Sequence, residues 1–194
     1  NRPFAEQYHT HPAYNNYPVV NVSLEAARLY CDWLTDLWNE KLTGEDYRWK
    51  FMVPNRKQWL SAANGQKEDA IYSWNGDGLR NKKNGQFLCN FYALDATHIY
   101  YDSSIASYQI KTDLKFKRRV NSEITATVNS YWPNEFGIYN LNGNAAEWVL
   151  EGLACGGSWN STGYDVRNQS VIKVDHSSCL VGFRPILVFT KKES

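Results

Sequence analysis

Apolar positions recur at helical spacing only twice along this chain, both times before residue 65. Leu24, Ala27, Tyr30 or Cys31, Leu34, and Leu37 or Trp38 form a stripe repeating every three to four residues, the period of one helix face. Ser23 is placed to cap that helix and Glu25 to sit in its positive first turn, leaving Asp36, Glu40 and Lys41 to face water. The second stripe is shorter. Asn55 with Gln58 three positions on reads as a capping box, Trp59, Leu60, Ala62 and Ala63 supply the apolar face, and Gly65 is the stop.

Between the two, after a turn at Gly44, Tyr47 to Val53 reads as a strand ended by Pro54. Residues 1–17 form an irregular arm, and a short strand over Val19 to Val22 is expected to follow it. From Tyr72 onward the helical period disappears. Short aromatic or β-branched runs alternate with Asn/Gly-rich turns, the pattern of small, irregular antiparallel sheets with long loops. Residues 96–122 are the least patterned, an irregular insertion whose basic run Lys115, Lys117, Arg118 and Arg119 reads as a solvated loop. Two helices followed by short strands, with no repeat, predict one α+β domain over residues 1–194.

Composition narrows the function classes. The 43% hydrophobic and 15% aromatic content suits a folded core, and 21 basic against 20 acidic residues leave a net charge of +1. No field of one sign is therefore available to recruit nucleic acid. No apolar run approaches the ~20 residues needed to span a bilayer, and no charged-then-apolar leader opens the chain. Cys31, Cys89, Cys155 and Cys179 show neither C-x-x-C nor Cys/His ligand spacing, which argues against zinc and thioredoxin-like chemistry. His9 and His11 are an incidental surface pair in the arm, with no metal assigned to them.

Several fragments, taken in order, resemble the formylglycine-generating-enzyme, or sulfatase-modifying-factor, family. They are Pro18-Val19-Val20-Asn21-Val22-Ser23, Tyr30-Cys31-Asp32-Trp33-Leu34, Tyr72-Ser73-Trp74-Asn75-Gly76, Gly143-Asn144-Ala145-Ala146-Glu147-Trp148, Gly156-Gly157-Ser158-Trp159 and Gly182-Phe183-Arg184. The resemblance implies a variant of the C-type-lectin fold. Within the family, Arg80-Asn81-Lys82-Lys83-Asn84-Gly85 and Ser130-Tyr131-Trp132-Pro133-Asn134 look most like gliding-motility lipoproteins associated with type IX secretion, which implies an exported, assembly-bound role.

The resemblance also sets the chemical expectations. The family's enzyme holds copper between cysteines three and eight positions beyond the serine of the Gly-Gly-Ser strand, and those positions here are Ser161 and Val166. A hydroxyl and an isopropyl group replace the soft thiolates that select cuprous copper, so neither copper nor the family's oxidation is expected. The family's calcium loop maps onto Asn140, Gly143, Ala145 and Glu147, which offer a side-chain oxygen, two carbonyls and a carboxylate. A second calcium site maps onto Asn90 and Phe91, with Asp95, Asp102 and Asp113 as candidate third ligands. Cys155 and Cys179 each precede a family strand motif by three residues, so a disulfide between neighbouring strands or two buried thiols is expected. Cys31 and Cys89 have no evident partner.

The expected function is thus a non-catalytic binding or scaffold domain with a protein partner in an extracytoplasmic assembly. One alternative is a C-type-lectin-like surface displaying the polar loop of Asn160, Ser161, Thr162, Tyr164, Asp165 and Arg167. The other is an enzyme of the same family with altered chemistry.

Overall fold

Both helices begin where side-chain chemistry satisfies their free N–H groups. The computed structural model describes residues 6–42, 46–93, 99–110 and 124–191. Helix α1 runs over Leu24–Lys41, its first turn capped by Ser23 Oγ, which accepts from Ala26 N at 3.1 Å. Helix α2 runs over Arg56–Asn64, and its capping box is complete: Gln58 N donates to Asn55 Oδ1 at 2.8 Å and Asn55 N donates to Gln58 Oε1 at 2.9 Å. Gly65, at φ 63°, ends α2 in a conformation that L side chains rarely adopt. Among the described residues no helix follows.

Of the alternatives in the α1 stripe, Cys31 is buried while Tyr30 and Trp38 are exposed. The reason lies in the flank that faces strand β1, Tyr47–Met52. Asn39 donates from Nδ2 to Trp49 O and accepts from Trp49 N, and Thr35 Oγ1 accepts from Phe51 N at 2.9 Å. Polar side chains of the helix thereby satisfy one edge of β1, a common way of protecting an otherwise open strand. The other edge pairs antiparallel with β8, Ile186–Lys191, in the register Tyr47↔Lys191 to Met52↔Ile186.

The central sheet has four short strands in the order β6-β5-β4-β7, where β4 is Ala146–Trp148, β5 Leu153–Cys155, β6 Val171–Lys173 and β7 Val181–Gly182. It is mixed rather than wholly antiparallel, because β4 pairs parallel with β7 and antiparallel with β5. The strand expected over Val19 to Val22 is reduced to one bridge, Val20↔Gly182. Part of the segment read as irregular is a hairpin, β2 Ile99–Asp102 with β3 Ser107–Ile110. The basic run at Lys115 to Arg119, the turn at Gly44, and Asp95 and Asp113 lie outside the described residues.

Among the described residues, three of four apolar clusters lie under the helices and the later loops, the fourth being Tyr8, Val20 and Ala145 beside the arm. Ala27, Cys31, Val53, Ala146, Trp148, Ala154 and Val181 lie under α1; Trp59, Ala63, Leu141, Val149 and Cys155 lie under α2; Tyr72, Cys89, Phe91 and Val166 hold the loops. A chain of buried amides joins α2 to those loops. Asn142 Nδ2 donates to Asn168 Oδ1 at 2.8 Å, Asn168 Nδ2 donates to Asn64 Oδ1 at 2.9 Å, and Ser73 N donates to Asn142 Oδ1 at 2.8 Å. Satisfied in this way, the amides avoid the desolvation penalty of unpaired buried groups.

Candidate functional site

The segment entering β4 turns sharply, with Asn140, Gly143 and Asn144 at φ 54°, 73° and 67°. At Gly143 glycine is required twice over: any Cβ would collide with the Asn90 carbonyl. That close approach sets the 90 loop against the 140 loop, and Asn144 N donates to Asn90 O at 2.8 Å.

Glu147 is buried at the end of this turn, and a buried carboxylate is tolerable only when paired and hydrogen-bonded. Trp59 Nε1 donates to its Oε2 at 2.8 Å, while Arg184 reaches Oε1 through Nε at 3.0 Å and Nη2 at 2.6 Å. Arg184 Nη2 also donates to Tyr139 O at 2.8 Å. The carboxylate raises the Arg184 pKa, which burial alone would lower.

Two asparagines beside this pair each leave an acceptor unused. Asn140 Nδ2 donates to Thr127 O at 3.2 Å and Val128 O at 2.9 Å, and its buried Oδ1 has no hydrogen-bond partner. Asn90 Nδ2 donates to Ile124 O at 2.8 Å and Asn144 Oδ1 at 3.3 Å, and its Oδ1 is likewise buried and unbonded. These are the side-chain oxygens that the family resemblance maps onto the two expected calcium sites. An orphaned amide oxygen, its orientation fixed by its own N–H bonds, is a hard neutral donor of the kind calcium takes, so the residues fit the ion. The Glu147 carboxylate is already bonded to Arg184 and Trp59, and the remaining ligands of that site would be the Gly143 and Ala145 carbonyls. For the second site, Phe91 adjoins Asn90, whereas Asp102 uses its carboxylate in its own hairpin. There Asp102 Oδ1 accepts from Ser104 N at 2.9 Å and Ser104 Oγ at 2.6 Å, bonds that lower its pKa.

Asn140, Glu147 and Arg184 line one cleft of about 590 Å3. Its lining is largely apolar and includes Tyr17, Val22, Tyr30 of α1 and Phe183. An apolar pocket holding a few convergent polar groups is the usual form of a ligand or partner site.

The loop after Gly-Gly-Ser is built into the scaffold. Ser161 Oγ accepts from Ser158 N at 2.9 Å, and Val166 is fully buried against Tyr72, Cys89 and Phe91. Asn160 N donates to Ser158 Oγ at 3.3 Å, and Thr162 Oγ1 donates to Asp165 Oδ2 at 2.6 Å. Tyr164 is exposed at the tip, with the Arg167 guanidinium 3.3 Å above its ring. The six residues expected to form a ligand loop lie on one loop, where Thr162 bonds Asp165 and Arg167 Nε bonds the Tyr164 carbonyl.

The expected pairing of Cys155 with Cys179 is corrected by the structure. Both thiols are free, Cys155 being buried and Cys179 exposed. Strand β4 lies between β5, which carries Cys155, and β7, which follows Cys179, so the two strands are not neighbours. Cys31 and Cys89 are free and buried, as their lack of partners implied.

Sequence reasoning missed Arg184 and Trp59 as the partners of Glu147. The signal was present: a glutamate in an apolar run, Ala145-Ala146-Glu147-Trp148, requires a cation, and the arginine of Gly182-Phe183-Arg184 lies two residues beyond Gly182, the residue paired to Glu147.

Comparison with known proteins gives a consistent picture. The family described as sulfatase-modifying factor enzyme 1-like domain matches residues 1–187. The formylglycine-generating enzyme of Thermomonospora curvata is 28% identical over 147 residues, 76% of this chain and 37% of that enzyme. That of Mus musculus is 25% identical over 137 residues, 71% of this chain and 28% of that enzyme. The chain thus spans only 37% and 28% of the curated relatives it matches. Among solved structures, Treponema denticola variable protein 1 superposes with TM-score 0.61 at 16% identity, covering 92% of this chain and 73% of that one. PvdO from Pseudomonas aeruginosa gives TM-score 0.57 at 16% identity over 91% of this chain and 63% of that one. These two similarities concern the fold.

Proposed function

We propose, for a chain that belongs to the sulfatase-modifying factor enzyme 1-like domain family, a role in binding rather than in catalysis. The observation that carries this reading is the state of Ser161 and Val166: one side chain is hydrogen-bonded to Ser158 and the other is packed in the interior. Neither offers a soft ligand to cuprous copper, and thiolates are what select that ion.

The cleft beside α1 is the contact region in this reading, its apolar walls taking a protein partner's side chains around the Glu147–Arg184 pair. Calcium would be held by the Asn140 side chain, the Gly143 and Ala145 carbonyls and Glu147. Asn90 and Phe91 would contribute to a second site. Bound there, the ion would supply fixed positive charge that locks the turn. The fragments resembling gliding-motility lipoproteins support an extracytoplasmic, type IX secretion-related assembly as the setting.

The test combines a cuprous copper titration with an oxidation assay on a sulfatase-type cysteine peptide. The reading expects no tight copper binding and no aldehyde product. Copper-dependent turnover would overturn it.

A further inference from the structure

A second cleft, of about 580 Å3, is lined by Arg80, Gly85, Gln86, Phe87, Tyr131 and Trp132, among others, and among the described residues none of its lining is acidic. Among the described residues it shares no lining residue with the cleft beside α1. One wall is a stapled hairpin. Arg80 and Phe87 form a bridge, Asn81 N donates to Gln86 O at 2.8 Å, and Leu88 N donates to Leu79 O at 3.0 Å. On this hairpin the Arg80 guanidinium lies 3.6 Å over the Phe87 ring and donates from Nη1 to Gly85 O at 2.7 Å. Held flat by both contacts, it has little rotamer freedom left to lose when it binds an anion.

The opposite wall carries a backbone outlier. Tyr131 has φ 65°, a left-handed conformation that costs a bulky residue about 1–2 kcal/mol. In an extended chain Tyr131 and Trp132 would point to opposite sides. With the kink at Tyr131, both line the same cleft. Burial holds the Tyr131 phenol up at about 12, so it remains a hydrogen-bond donor at neutral pH.

The hydrogen bonds available here are nearly all of one kind. Asn84 Oδ1 accepts from Gln86 N, Gln86 Oε1 accepts from Asn84 Nδ2, and Gly85 O accepts from Arg80. The two side-chain amide oxygens and the Gly85 carbonyl are therefore engaged internally. Among the described residues, Arg80 Nε and Nη2, Gln86 Nε2, the Tyr131 hydroxyl and Trp132 Nε1 have no protein partner and are free to donate. A peptide backbone brings its own N–H groups and would need acceptors. A sugar ring rich in oxygen acceptors does not, and its flat C–H face suits an exposed indole.

We propose that this cleft binds an acidic saccharide, with its carboxylate or sulfate on Arg80 and its pyranose ring against Trp132. Gln86 and Tyr131 donate to ring hydroxyls. No bond is made or broken, so the site is one of recognition.

Titration calorimetry on the purified chain tests this, using an oligogalacturonate, a sulfated dextran oligomer, a neutral maltooligosaccharide and poly-glutamate. The expected result is binding of at least one acidic saccharide, with the neutral sugar and poly-glutamate each weaker by roughly tenfold or more. The first two probes distinguish carboxylate from sulfate as the preferred anion. Arg80→Ala and Trp132→Ala should each weaken binding by roughly tenfold, Arg80→Lys by less, and Tyr30→Ala in the other cleft not at all. Arg80→Gln serves as a second charge-removing variant should Arg80→Ala melt early. Failure of every acidic saccharide to bind at millimolar concentration, equal binding of poly-glutamate, or indifference to both the Arg80 and the Trp132 changes would overturn the proposal.

Discussion

Arg184 holds Glu147 through two nitrogens, with its Nη2 2.6 Å from Oε1, yet the two ends of the bridge are unequally buried: 35% of the arginine side chain is exposed and only 8% of the glutamate side chain. Removing either partner therefore has different consequences. Arg184→Met strands a buried carboxylate with Trp59 as its remaining side-chain donor, and a loss of about 3–5 kcal/mol is expected. Glu147→Gln keeps an amide oxygen for Trp59 and Arg184 and leaves the guanidinium its bond to the Tyr139 carbonyl, so a smaller loss of about 1–2 kcal/mol is expected. Denaturant midpoints of the two variants check the order, and equal losses would refute the asymmetry.

A second prediction concerns calcium. An ion that binds only the folded state stabilises it by about 2.7 kcal/mol at a hundredfold excess over Kd. For a chain of this length, that corresponds to a rise in melting temperature of roughly 5–10 °C. Asn140→Ala removes the orphaned oxygen and should abolish the rise while leaving the Glu147–Arg184 pair intact. Equal melting of the native chain in chelator and in calcium, with elemental analysis showing no retained ion, would reject the site.

The thiols should separate cleanly. Cys179 is exposed, whereas Cys31, Cys89 and Cys155 are buried with raised pKa values. A thiol-reactive dye should label Cys179 alone in the native protein and the other three only on unfolding. Peptide mapping without reductant should find no link between Cys155 and Cys179.

Those buried thiols also set an alkaline limit. Burial lifts Cys155 from 9.0 to about 12, and Cys89 is raised further. Between the two Cys155 values the unfolded chain has released a proton that the folded chain retains, so stability falls as pH rises through that window and is complete below it. Unfolding midpoints should drop from pH 9 toward pH 12, and Cys155→Ala should show a shallower decline. A flat profile would contradict the assignment.

Much of the helical half was legible because its signals are local. Ser23, Asn55, Gln58 and Gly65 act on backbone groups a few residues away, and the structure uses all four as their chemistry suggests. The sheet was not, because its partners are remote. Nothing near Ala146 announces a parallel pairing with Val181, and nothing near Trp49 announces that Asn39 of a helix will satisfy its edge. The same distinction holds at the site. Asn140, Gly143, Ala145 and Glu147 lie in one short motif that the family resemblance marks as a unit, while Arg184, from the connection between β7 and β8, was missed. The disulfide failed for a related reason: spacing from two motifs says nothing about the strand that lies between them.

The pairing of β1 with β8 has a consequence for how the chain reaches its shape. Met52 must wait for Ile186, and Tyr47 for Lys191. At ribosomal speeds of ~5–20 residues per second that interval is on the order of ten seconds. Throughout it the aromatic edge of Tyr47, Trp49 and Phe51 has only α1 for company. Over that interval the nascent chain is open to holding chaperones, and pairings this distant in sequence close late and slowly once β8 emerges.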